Sequence, residues 1–191
     1  MEKDLHLFEQ MFQRLKHSLA SFLAYHNLDH TKYVIDKAVF IGKAEECSDD
    51  ELRLISVAAL YHDAGFLIGM DNHEEKGCSL VQAELPEYGF SSDEIDRICG
   101  MIMATKTPQN PKNKLERILA DADLFYLGTD SYFSLSSLLK KELLHLNPSM
   151  DDQNWKDIQL NFLKIHQYHT DFGKDALNPI KQMNFELVQA S

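Results

Sequence analysis

Cysteine is scarce in this chain. Cys47, Cys78 and Cys99 form no Cys-x-x-Cys pair and make an odd number, which excludes a disulfide framework and fits a reducing compartment. Long apolar runs are missing too: none approaches the roughly 20 residues that a membrane-spanning helix needs. The start, Met1-Glu2-Lys3-Asp4, lacks the basic-then-apolar layout of a signal peptide. The expectation is a cytoplasmic protein with no membrane partner. Positive charge is also in deficit, with 19 Lys and Arg against 30 Asp and Glu. The resulting net charge of −11 argues against a nucleic-acid polymer or an anionic membrane as partner. It leaves a small anionic ligand open, because a bound metal can reverse the local field. Alternating apolar positions of the strand type, internal repeats and low-complexity tracts are all absent.

What is present has the periodicity of helices. Residues 5–25 carry Leu5, Phe8, Phe12, Leu15, Leu19, Phe22 and Leu23 at three-to-four spacing, and a second helix is expected over 29–46. Ser48-Asp49-Asp50-Glu51 has the form of a capping box, opening a helix that runs into His62. A helix over 72–84 stops near Pro86, and a second capping box, Ser91-Ser92-Asp93-Glu94, opens the next. Pro108 and Pro111 mark a loop over 105–113, and helices are expected again over 114–127, 131–146, 151–170 and 173–188. The fold class predicted is all-α, a compact single-domain helical bundle of about eight helices spanning residues 1–191.

Three stretches bear on chemistry. Tyr61-His62-Asp63-Ala64-Gly65-Phe66 sets a histidine beside an aspartate at the end of an apolar run. One imidazole nitrogen and one carboxylate oxygen can then face the same point, a mixed donor set suited to divalent cations. The bland alternative is a helix end followed by a glycine stop. Tyr25-His26-Asn27-Leu28-Asp29-His30 holds two histidines four apart, stacked on one face if the segment is helical. They can be two ligands, one ligand and one acid–base group, or two surface residues. Leu119-Ala120-Asp121-Ala122-Asp123-Leu124 puts two carboxylates inside an otherwise apolar helix. Burying them costs free energy unless a metal, a cap or an ion pair compensates.

In this order and in helical context, His30, His62-Asp63 and Asp123 resemble the H…HD…D ligand set of the HD-domain superfamily of metal-dependent phosphohydrolases. The resemblance covers residues 25–128, with the helices of 129–190 expected to pack on that core. It implies one divalent ion (Mn, Fe, Ni, Co, Zn or Mg) on His30, His62, Asp63 and Asp123. Asp123 is preferred to Asp121 because, in similar Asp-x-Asp segments, the second aspartate matches the lone aspartate of other members; Asp121 would then orient it. The segment Tyr25-His26-Asn27-x-x-His30 is similar to the YHNxxH motif of cyclic-nucleotide phosphodiesterases, which makes His26 a general acid. Asn72-His73-Glu74-Glu75 resembles the His-Glu segment of the deoxynucleotide triphosphohydrolases, which makes His73 a second acid–base or phosphate-contacting group.

Extra histidines of the two-metal members are not matched: Ala64-Gly65-Phe66 follows the His-Asp pair, and Ala104-Thr105-Lys106 stands at the later position. A single metal is therefore expected. The implied activity is hydrolysis of a phosphate ester of a nucleotide or small metabolite, with catalytic His26, His73 and Asp63. The alternatives are a cyclic-nucleotide phosphodiesterase and a non-catalytic ligand-binding module of the same fold. Lys106 is a candidate phosphate contact, and His166, Tyr168, His169 and Thr170 are candidates for the pocket mouth.

Overall fold

Both capping boxes form. Ser48 Oγ accepts the Glu51 N–H while the Glu51 carboxylate accepts the Ser48 N–H, and Ser91 and Glu94 repeat the arrangement. The computed structural model describes residues 2–191, and the described residues form nine α-helices and no strand. They are α1 (Glu2–Ser18), α2 (Leu28–Ala44), α3 (Asp49–Tyr61), α4 (His73–Glu84), α5 (Ser92–Thr105), α6 (Lys114–Asp123), α7 (Tyr132–Leu146), α8 (Asp152–Ile165) and α9 (Asn178–Ala190). Among the described residues no helix is long and apolar enough to cross a membrane.

Helix α3 runs through the centre. It is apolar on every side from Leu54 to Leu60 apart from Ser56, and Ile55, Ala58, Ala59, Leu60 and Tyr61 are fully buried. A helix buried all round needs neighbours on several sides. Here α2, α5 and α6 surround it, and α4 packs on α5. The remaining helices close the ends. Helix α9 lies against α8 and against the short turn Phe125–Gly128, where the Asn184 side chain donates to the carbonyls of Leu127 and Thr129.

Three expected helices end early: α6 stops at Asp123 instead of 127 and gives way to the turn Phe125–Gly128, and two others stop for one shared physical reason. The first stops at Ser18 instead of continuing to 25, and its buried face is Leu7, Met11 and Leu15, with Leu5 exposed. Beyond it, the backbone N–H groups of Tyr25 and His26 donate to the buried Glu142 carboxylate of α7. They are thereby withdrawn from any helical ladder. The eighth helix ends at Ile165 instead of 170, and the N–H groups of His169 and Thr170 donate to Asp121 of α6. His26 and His30 therefore do not share a helix face, since Asn27 caps α2 by accepting from the N–H groups of Asp29 and His30.

Past α3, the chain makes a short turn, Ala64–Leu67, pressed against the start of α4. Gly65 permits the contact: a Cβ there would lie 1.9 Å from the His73 carbonyl oxygen and 2.9 Å from the Gly77 nitrogen. Both obstructing atoms are backbone, so relief requires moving α4. Gly65→Ala is expected to destabilise the protein by about 2–3 kcal/mol in denaturant unfolding, as over-packed cores do. Unchanged stability would show that the approach of α4 is not constrained at this point.

Candidate metal centre and adjoining cavity

Helices α2 and α6 contribute His30 and Asp123, His62 caps the C-terminus of α3 beside them, and Asp63 follows it. His30 Nε2 lies 3.2 Å from Asp123 Oδ1, 3.3 Å from His62 Nε2 and 3.4 Å from Asp63 Oδ2. His62 Nε2 lies 3.1 Å from Asp63 Oδ2 and 3.5 Å from Asp123 Oδ1. Ligands about 2.1 Å from one ion are separated by about 3.0 Å along an octahedral edge and about 3.4 Å along a tetrahedral one. Four of the five distances fall in that interval, and the fifth, His62 Nε2 to Asp123 Oδ1 at 3.5 Å, lies just beyond it. All four residues are at least largely buried, His62 completely.

The hydrogen bonding also favours a cation. His62 Nδ1–H donates to the Ala59 carbonyl at 2.8 Å, which turns Nε2 inward toward His30 Nε2. Asp63 Oδ2 is buried and accepts no hydrogen bond, although both Nε2 atoms are within 3.4 Å. A buried carboxylate oxygen without a donor is costly. Burial opposes a charge on His62, yet the Asp63 and Asp123 carboxylates outweigh it and raise its pKa well above the ordinary value. Burial likewise would raise Asp63 and Asp123, and the surrounding imidazoles overcome it and hold both below the usual carboxylate range. The site therefore stabilises positive charge at its centre, and the donor set of two imidazoles and two carboxylates fits a divalent metal.

Two further histidines stand beside this cluster. The His26 ring centroid is 5.8 Å from that of His30 and 5.0 Å from that of Phe66. Its Nδ1 is 2.6 Å from Glu142 Oε1, while Glu142 Oε2 accepts the backbone N–H groups of Tyr25 and His26. Burial would lower the His26 pKa, but the Asp63 charge and the Glu142 hydrogen bond prevail and raise it. His73, at the N-terminus of α4, stacks on Phe66 at 4.1 Å and puts Nε2 3.5 Å from Asp63 Oδ1. Glu142 went unnoticed in the sequence. The available signal was its position in register with Leu135, Leu138 and Leu139 on α7, an acid on an apolar face.

Other expected contributors lie elsewhere. Asp121 does not orient Asp123; both its oxygens accept from the His169 and Thr170 segment. Lys106 is held by Glu75 and Asn72 and is not directed at the cluster. Tyr168 donates to the Leu124 carbonyl, whereas His166 and His169 line a side cleft of about 180 Å³ with Gln109. A cavity of about 220 Å³ opens directly on the cluster, bounded there by His26, Asp63, His73 and Asp123. A larger open groove, about 1140 Å³, runs between α1 and the segment that follows it, but contains none of these four residues.

With the geometry in view, similarity to known proteins is informative. The HD domain model matches residues 27–126, more than half of the chain, and the chain belongs to that family. Among solved structures, it is similar to a predicted HD superfamily hydrolase from an uncultured Thermotogales bacterium. Their identity is 19% and the TM-score 0.64, with 95% of this chain and 89% of the other covered. Bacillus subtilis YpgQ in complex with ADP is also similar, at 19% identity and TM-score 0.67, covering 98% of this chain and 94% of that one. None of the curated proteins matches the chain.

His166 supplies a pH dependence independent of the cluster. Burial and the neighbouring Lys181 ammonium, 3.4 Å from Nδ1, press its pKa down to about 3. The unfolded chain binds a proton near pH 6.5 that the folded protein refuses, so stability falls as pH drops below that value. Between pH 7 and pH 5 the loss is expected to be about 2 kcal/mol. His166→Asn, which keeps an acceptor for Lys181 but does not titrate, is expected to flatten this part of the unfolding-versus-pH curve. Equal acid sensitivity in both proteins contradicts the assignment.

Proposed function

We propose that this protein is a metal-dependent phosphohydrolase that cleaves a phosphate ester of a nucleotide or small metabolite. The observation that carries the reading is the convergence of His30 Nε2, His62 Nε2, Asp63 Oδ2 and Asp123 Oδ1 beside the hydrogen-bonded His26–Glu142 pair, with His26, Asp63 and Asp123 facing one cavity. Membership of the HD domain family and the ADP bound by B. subtilis YpgQ support it.

His30, His62, Asp63 and Asp123 would hold a divalent ion, which would supply Lewis-acid polarisation of a phosphoryl oxygen and a lowered pKa for water. The protein's own groups do the rest. His26, its pKa raised by Asp63 and Glu142 against the effect of burial, gives its proton to the departing ester oxygen. Glu142 orients that imidazole through Nδ1–H, so Nε2–H is the donating position. His73 Nε2, in the cavity wall beside Asp63, contacts the phosphate or serves as a second acid–base group. Phe66, packed against both the His26 and His73 rings, restricts water around the transferred proton.

The test is elemental analysis of the purified protein, followed by a panel of nucleotides, simple phosphate esters, cyclic AMP and cyclic GMP with Mn, Fe, Ni, Co, Zn and Mg. Turnover is expected with the metal the protein carries. Asp63→Ala should lose both metal and activity, and His26→Ala should lose roughly a hundredfold to ten-thousandfold in kcat while keeping the metal. Undiminished turnover by Asp63→Ala contradicts the reading. Cleavage confined to the cyclic substrates would instead favour a cyclic-nucleotide phosphodiesterase, to which the Tyr25-His26-Asn27 segment is similar. No turnover, and no gain in Tm from any metal, would favour a non-catalytic module.

A further inference from the structure

Cysteine is scarce, yet two of the three cysteines meet. Cys78 stands on α4 and Cys99 on α5, and neither belongs to the cluster or lines its cavity. Cys78 Sγ lies 3.6 Å from the Cys99 carbonyl oxygen, and Cys99 Sγ lies 3.8 Å from the Cys78 carbonyl oxygen. Each side chain thus reaches across the helix interface to the other's backbone, and the two thiols are hydrogen-bonded to one another. Gly77, next to Cys78, permits this closeness. A Cβ there would lie 2.9 Å from the Tyr61 carbonyl oxygen and 3.6 Å from Ile102 Cγ2 of α5. Cys47 follows α2 elsewhere in the molecule, where its thiol is hydrogen-bonded to Lys114.

The two thiols are not equivalent. Cys78 is buried, whereas Cys99 is half-buried. Their shared hydrogen bond raises the pKa of Cys78, with burial adding to it, and lowers that of Cys99, against burial and the Asp96 charge. Cys99 is therefore the easier to ionise and the more open to an oxidant, with Cys78 behind it. An attacking and a resolving cysteine stand in this relation. A permanent disulfide does not suit a reducing compartment, but transient ones form there when thiols sense an oxidant. The location also bears on the cavity. Glu74 lies one turn before Cys78 on the same face of α4, His73 opens that helix, and Thr105 ends α5. All three line the cavity, so a bond between Cys78 and Cys99 joins the two helices that carry this part of its wall.

We propose that Cys78 and Cys99 are a redox modification site, oxidised by hydrogen peroxide to a reversible disulfide that ties α4 to α5 beside the cavity. The Cys99 thiolate attacks one peroxide oxygen: the S–O bond forms, the O–O bond breaks, and the leaving hydroxide takes up the proton that Cys99 released. The Cys78 sulfur then attacks the sulfur of the Cys99 sulfenic acid. The S–S bond forms, the S–O bond breaks, and the departing hydroxide carries off the Cys78 proton as water. In balance, the pair of thiols loses two electrons and the peroxide is reduced to two waters.

The full-length protein is treated with hydrogen peroxide, its remaining thiols are alkylated, and its peptides are mapped without reduction. A cross-linked peptide pair, Cys78 to Cys99, is expected, with Cys47 alkylated and dithiothreitol restoring all three free thiols. Cys78→Ser should stop at the sulfenic acid of Cys99, which dimedone traps. Should that variant fail to fold, Cys47→Ser, which leaves the pair untouched, should cross-link as the parent does. Amide hydrogen exchange in α4 is expected to slow on oxidation and to recover on reduction. Cys78 and Cys99 both still alkylated after the peroxide has consumed an equal amount of glutathione thiol overturns the site. So does a bond that includes Cys47 or joins two chains, or Cys99 carried on to the sulfinic acid beside a free Cys78. A Cys78–Cys99 bond with unchanged exchange in α4 overturns the tether.

Discussion

Two imidazoles and two carboxylates are taken out of water at one point, and the rest of the structure follows from that constraint. Isolated buried carboxylates are costly, and removing one partner from such a group is worse than never having buried it. His30, His62 and Asp123 therefore meet, with Asp63 against the two imidazoles, although they are drawn from α2, the end of α3, the turn after it and α6. This explains why α3, apolar almost all round, sits in the middle: it ends at the cluster, and α2 and α6 pack against it and each other with their donors at the same level. It also explains the tight turn at Gly65, which brings α4 and His73 back over the same point.

Buried carboxylates shape the periphery as well. Glu142 and Asp121 each collect two backbone N–H groups from a segment that leaves a helix, at 25–26 and at 169–170. In each case the acceptor is remote in sequence and the donor segment is mildly apolar, so local periodicity extends the helix too far. The capping boxes at Ser48 and Ser91, by contrast, are made entirely of residues three apart, and both were legible. The all-helical class was legible for the same reason, since periodicity is local.

The candidate site divides along the same line. His62 and Asp63 are neighbours, and their order relative to His30 and Asp123 carries the resemblance to the HD family that the domain match establishes. Choosing between Asp123 and Asp121 depended on that resemblance. The structure separates them physically: Asp123 faces two imidazoles, whereas Asp121 faces backbone N–H groups on the other side of α6. Glu142 and the rest of the cavity wall depend on how α7 and α8 pack, more than a hundred residues from His26, and no spacing rule reaches them. Lys106 was plausible as a phosphate contact only while its pairing with Glu75 was unseen.

The excess of acidic residues over the chain has a local counterpart. Asp63, Glu74 and Asp123 line the cavity without a lysine or arginine, so an anionic ligand depends on the lining histidine side chains and on a cation at the cluster. That dependence makes the position of the cation the central claim. Anomalous diffraction from crystals grown with manganese measures it directly. The account predicts one strong peak within about 2.4 Å of His30 Nε2, His62 Nε2 and a carboxylate oxygen of both Asp63 and Asp123. A peak that leaves any of these four residues out of reach, or none at the cluster while manganese binds elsewhere, contradicts it.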